Sequence, residues 1–117
     1  MIRPVGNLKL LHAAGIPIVA GTDVTVPGYS LHRELELYVK AGFTPMEAIQ
    51  AATIVPARVL GVAKETGSVE VGKRADVLIV NGDPLSSIAD LRKVDTVIAG
   101  ERVYHPAPLL RSVAFRP

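Results

Sequence analysis

At 117 residues the chain holds one small domain's worth of sequence, and domains of this size bury roughly two thirds of the surface their unfolded chains expose. Thirteen basic and 11 acidic residues, scattered without a run of like charge, give a net charge of +2 and no nucleic-acid footprint. The absence of cysteine excludes disulfides, thiolate zinc sites and cysteine nucleophiles and suits a cytoplasmic protein, while no apolar run nears the roughly 18 residues that span a bilayer, so no membrane partner is expected.

The spacing of Leu8, Leu11 and Ala14 predicts a helix over Asn7 to Ala14, closed by Gly15 as a C-cap. Ile16 to Ala20 is short and continuously apolar between Gly and Pro, the pattern of a parallel strand buried on both faces. That strand would deliver Asp23 into an irregular stretch from Val24 to Ser30. A carboxylate at the end of a buried strand, before a helix, has the form of an active-site position in an α/β enzyme. A second helix is expected over Tyr29 to Ala41, with Ser30 as N-cap, Leu31, Leu35, Tyr38 and Val39 on its apolar face, and Gly42 as its end.

Thr44-Pro45-Met46-Glu47 is a strong helix start, combining a capping threonine, proline at the first helical position and glutamate at the third. A further short helix is expected from Pro56 to Leu60. Beyond Gly61 the composition turns to strands and turns. Gly67 to Lys73 reads as a strand with a glycine turn, Ala75 to Val80 as an apolar strand, and Val94 to Ala99 with Arg102 to Tyr104 as a hairpin through Gly100-Glu101. The tail after His105 contains Pro106, Pro108 and Pro117 and is expected to be extended or loosely docked.

The chemical inventory is short. Asp23 is the candidate catalytic residue. His32 and Tyr29, at the start of the helix after the Asp23 loop, are candidates for substrate contact or for supporting a metal ligand, and His32 shares a helix face with Glu36 at i, i+4. His12 precedes the strand at its far end, and His105 follows the β segments. No His-x-His or His-Glu-x-x-His spacing and no phosphate-binding glycine loop occurs. Asp76, at a strand start, is expected to bond a turn amide.

Taken together, Leu11 to Gly15 leading to Gly21-Thr22-Asp23, then Leu31-His32-Arg33-Glu34-Leu35, Ala41 to Ile49, Ala51-Ala52-Thr53, Pro56-Ala57-Arg58, Gly67-Ser68 and Gly72 to Val77 resemble the C-terminal end of metal-dependent amidohydrolases. The resemblance is to the branch related to imidazolonepropionase and to peptidases acting on small dipeptides, and it runs from about residue 5 to about residue 104. It implies a mixed α/β fold: the truncated end of a (β/α)8 barrel, with its last strand and following helices over residues 1–61, then the C-terminal part of a small β-sandwich over 62–106 and a tail over 107–117. It also implies hydrolysis of a C–N bond in a small amide, cyclic amide or dipeptide-like substrate, with a divalent, zinc-type metal as cofactor. Asp23 would contact that metal and take a proton from the attacking water.

The metal needs at least three protein ligands, and the family draws the others from earlier strands, so this chain alone is short of ligands and expected to be inactive. The alternatives are a non-catalytic, self-associating structural or binding module, and an unrelated small-molecule binder using the Asp23 loop. A mean hydropathy of +0.33 and an unaccompanied buried strand both call for covering protein. The expected partner is therefore a second copy of the chain, with a dimer expected, or the missing N-terminal barrel portion.

Overall fold

The computed structural model describes residues 4–23, 26 and 28–112. Val24, Thr25, Pro27 and the end of the tail, residues 113–117, lie outside the described residues, so the expected irregular stretch after Asp23 is described only in part. The fold is mixed α and β: helices α1 (Pro4–Ala13), α2 (Ser30–Lys40), α3 (Pro45–Ala51) and α4 (Ile54–Val59), strand β1 (Val77–Val80), a 3-10 turn (Ile88–Arg92), strands β2 (Val94–Ala99) and β3 (Arg102–Tyr104), and helix α5 (Pro106–Ser112).

Local chemistry explains the helices. Gly15, at φ +72°, ends α1, where only a residue without Cβ turns left-handed at no cost. At the start of α3 the capping box is complete: Thr44 Oγ1 accepts the Glu47 amide at 3.2 Å, and Glu47 Oε2 accepts the Thr44 amide at 2.7 Å. Ser30 is not the cap of α2. Tyr29 holds that position without a side-chain bond, and Ser30 Oγ instead accepts the Val26 amide at 3.3 Å. Helix α4 begins two residues before Pro56, because proline within a first turn loses only an amide that has no helical partner.

The core is aliphatic with two rings at its centre. Leu35 and Tyr38 of α2, Ala41 and Phe43 of the following turn, Ala48 and Ala51 of α3 and Leu91 of the 3-10 turn are buried together, with Leu8, Ile18, Val39, Ile49, Val80 and Ile88 packed on them. Alanine at 48 and 51 lets α3 lie close against α2. The Arg92 side chain crosses the same junction, its Nε donating to Glu36 Oε1 of α2 at 2.7 Å.

The sheet is antiparallel in the order β1-β2-β3. Val77 faces Ile98 and Ile79 faces Thr96, with a bulge between Ile79 and Val80. The hairpin turns at Gly100, φ +61°, as expected, and Asp76 Oδ1 accepts the Gly100 amide at 2.9 Å.

Three expected elements take other forms. Ile16 to Ala20 joins no sheet among the described residues. A parallel strand needs a neighbour to accept its ladder, and here the Ala20 amide goes to Ala51 O (2.8 Å) instead. Gly67 to Lys73 is a turn, held by Lys73 Nζ donating to Ser68 Oγ (2.5 Å) and Glu70 Oε1 (3.0 Å). The segment after His105 is helix α5, with Pro106 at its first position, where the fixed φ favours a helix.

Gly67 sits at φ +94°, and a Cβ there would lie 2.7 Å from Ala57 Cβ and 3.1 Å from Ile54 Cα. The Gly67→Ala variant is therefore expected to lose about 1–3 kcal/mol from backbone strain and overpacking against α4. A thermal midpoint within a degree of the unsubstituted chain would contradict this.

The molecule is more open than its mass implies. Its accessible surface is 8366 Å², against about 6,100 Å² from the mass scaling of folded monomers. Its radius of gyration is 15.1 Å, against about 13.4 Å from the length scaling of compact domains. Much of the exposure is apolar, with Leu10, Leu60, Val69 and Val71 all more than two thirds exposed. No helix among the described residues is long and apolar enough to cross a membrane.

Candidate active site

Two helices position Asp23. Residues 16–23 pass over α2 and the end of α3, tethered at Ala20 by Ala51 and at Gly21 by Glu34, whose Oε1 accepts the Gly21 amide at 2.9 Å. Asp23 then turns to φ +47°, a left-handed conformation that a non-glycine residue adopts at a cost of order 1 kcal/mol and that aspartate tolerates better than most. Its side chain is exposed.

Gly21 and Thr22, which precede it, line a shallow pocket of about 300 Å³ together with Tyr29, Ser30, Arg33, Glu34 and Leu37, and Asp23 itself is not part of that lining. Tyr29 is thus brought together with the residues that lead to Asp23. Its ring lies under the Arg92 guanidinium, 4.8 Å from the centroid, a cation–π contact that links the sheet-bearing half of the chain to this pocket.

His32 faces elsewhere. It lines a larger, mainly apolar groove of about 700 Å³ between α2, α3 and α4 on one side and β1 on the other. It forms no pair with Glu36, whose carboxylate is taken by Arg92 and, at 3.0 Å, by Arg33 Nη1. Those two cations hold the Glu36 carboxyl below its ordinary range, chiefly through the Arg92 hydrogen bond. His32 Nδ1 is buried without a hydrogen-bond partner.

Burial, then the nearby Arg92 charge, lowers the His32 pKa from 6.5, with Glu36 opposing. A base whose folded pKa is lowered stabilises the fold fully above its unfolded pKa, and that contribution falls as pH drops through 6.5 toward the folded value. Urea midpoints are expected to fall between pH 7.5 and 5.5, and His32→Gln is expected to flatten this slope. An unchanged slope in the variant would contradict the assignment.

The other two histidines have local roles. His12 stacks on Phe43 with ring centroids 3.8 Å apart, its Nε2 lying 3.6 Å from Glu47 Oε2, and His105 Nδ1 lies 3.4 Å from Thr96 Oγ1. Among the described residues no three or more His, Cys, Asp or Glu side chains are grouped to hold a metal ion. A closed or catalytic zinc site takes at least three protein ligands, so the donors described do not by themselves fit one.

Glu34 is the residue that sequence reasoning passed over. Besides the Gly21 amide, its Oε1 accepts the Tyr38 hydroxyl at 2.5 Å, and its Oε2 is buried with no partner. Burial and the adjacent Glu34 carboxylate push the Tyr38 pKa well above the usual tyrosine value, so the hydroxyl stays a donor. The available signal was a carboxylate four residues before a tyrosine on the apolar face of α2.

The model of the amidohydrolase family matches residues 6–103. The imidazolonepropionase of Geobacillus kaustophilus is 38% identical over 111 residues, covering 88% of this chain and 26% of that protein. Among solved structures, a Xaa-Pro dipeptidase with bound methionine in the active site superposes with a TM-score of 0.79 at 33% identity, over 86% of this chain and 25% of that one. A molinate hydrolase superposes at 0.79 with 28% identity, over 95% and 28%. The chain thus spans about a quarter of the length of the relatives it matches. With a family match over most of its residues and a shared fold, the chain belongs to the amidohydrolase family, in the branch that includes the imidazolonepropionases.

Proposed function

We propose that this chain is the C-terminal portion of an amidohydrolase that hydrolyses a C–N bond in a small amide, cyclic amide or dipeptide-like substrate. Residues 16–22 are in this reading the last strand of a (β/α)8 barrel, which pairs once the rest of the barrel is supplied and delivers Asp23 at its end, and the β1-β2-β3 sheet is part of a β-sandwich. The observation that carries the reading is the Gly21-Thr22-Asp23 segment, tethered at Gly21, whose first two residues line a pocket and whose last, Asp23, is exposed. Asp23 accepts the proton of the attacking water and returns it to the leaving nitrogen, the work of one carboxylate as base and then acid.

The divalent, zinc-type metal of the family would need ligands from the remainder of the relatives' length, and the chain alone is inactive in this reading. A protein without cysteine suits the cytoplasm. Metal analysis after chelation and zinc re-addition tests the reading. The chain alone is expected to hold no stoichiometric zinc, and its complex with the N-terminal portion of a relative to hold it. Tight zinc binding by the chain alone contradicts it.

A second reading, a non-catalytic module that covers itself by self-association, is favoured by the excess accessible surface. Stable interfaces bury about 800 Å² per partner, well within that excess. The same surface predicts a dimer by light scattering at micromolar concentration when no complement is present, and a monodisperse monomer would contradict that.

A further inference from the structure

From the hydrogen bonds that converge on α2, we infer that Glu34 is a positioning residue for Asp23. This rests on the reading of Asp23 as the proton-accepting carboxylate. Between Ile16 and Asp23 no sheet ladder fixes the backbone among the described residues, and the Gly21 amide, two residues before Asp23, is bonded to Glu34 Oε1 at 2.9 Å. The acceptor is itself fixed. Tyr38, buried in the core, donates its hydroxyl to the same oxygen at 2.5 Å, and α2 carries both residues one turn apart. Glu34 therefore transmits the position of a rigid, core-packed helix to a backbone amide two residues before Asp23.

The left-handed turn at Asp23 makes that placement consequential. A residue at φ +47° keeps its carboxylate where it is only if the backbone before it is held. A misplacement of about 1 Å in a reacting group costs on the order of 10²-fold in rate. Glu34 lines the pocket beside Gly21 and Thr22, so its loss would disturb the approach to Asp23 and leave the groove that His32 lines untouched.

The test uses the complex of this chain with the N-terminal portion of a relative, assayed on a Xaa-Pro dipeptide. Glu34→Ala is expected to lower kcat about 10- to 100-fold with KM within about twofold, and Glu34→Gln, which keeps an acceptor for the Gly21 amide, to restore most of it. Hydrogen exchange at the Gly21 amide is expected to quicken at least about tenfold in Glu34→Ala and not in Glu34→Gln. Should Glu34→Ala fail to fold, Tyr38→Phe removes the hydroxyl that fixes Glu34 and is expected to lower kcat about 3- to 10-fold. Glu47→Ala, which breaks the α3 cap, controls for lost stability and is expected to leave kcat unchanged. If Asp23→Asn abolishes turnover while Glu34→Ala and Tyr38→Phe keep kcat, the role of Glu34 is refuted. If Asp23→Asn keeps turnover, the reading of Asp23 falls instead.

Discussion

Replacing Phe43 by alanine is expected to unfold the isolated chain or lower its stability by about 3–5 kcal/mol, the usual cost of deleting a buried phenylalanine ring. Phe43 is only 6% exposed and lies in the core cluster formed by residues of α2, α3 and the 3-10 turn. It stacks on His12 of α1 at 3.8 Å and packs against Tyr38 of α2 at 5.1 Å. Its amide bonds Tyr38 O as the chain leaves α2 for the capping box of α3. Net stabilities of small domains are only about 5–15 kcal/mol, and a chain this open belongs at the low end of that range. Circular dichroism of Phe43→Ala at 25 °C checks the expectation, and a melting midpoint within a few degrees of the parent would contradict the placement of the core.

The second large effect is on chemistry. If Asp23 is the proton acceptor proposed above, Asp23→Asn in the complex with an N-terminal barrel portion is expected to lower kcat by about 10³-fold or more, because the amide keeps the size of the carboxylate and loses its capacity to accept a proton. Stability is expected to change little, since Asp23 is exposed. Asparagine also tolerates the left-handed turn, so the backbone at φ +47° is undisturbed. Loss of activity with an unchanged melting curve would separate the chemical role of Asp23 from a turn-forming one.

How far the sequence could be read depended on the range of the interactions. The capping box at Thr44 to Glu47, the C-cap at Gly15 and the hairpin at Gly100 are decided within four residues, and each was legible. The apolar pattern of Ile16 to Ala20 is that of a strand, yet a strand is a relation between two segments, and here the amide of Ala20 finds Ala51 instead of a ladder. Val69 and Val71 alternate as a strand would but remain exposed, because the side chains of Ser68, Glu70 and Lys73 close a local turn. Prolines after His105 suggested an open tail, although proline in a first turn starts a helix as readily as it breaks one.

The candidate site was legible only in part, for the same reason. Asp23 stands out at the end of an apolar run, and the structure places Tyr29 around one pocket with Gly21 and Thr22, the residues before it. The i, i+4 spacing of His32 and Glu36 suggested a pair, but Arg92, 56 residues away from Glu36, claims the carboxylate. In the sequence Glu34 stands only as one residue of the Leu31 to Leu35 run, with no role of its own. Only the fold shows its carboxylate turned inward to Gly21 and Tyr38.

The most direct test of the central claim is complementation. The chain is co-expressed with the N-terminal portion of an imidazolonepropionase-like relative, and hydrolysis is measured on a panel of Xaa-Pro dipeptides and small cyclic amides. Metal-dependent turnover by the complex, absent from either part alone and lost in Asp23→Asn, is the predicted result. A stable complex with zinc bound that turns over none of them, or turnover that survives Asp23→Asn, would contradict the account.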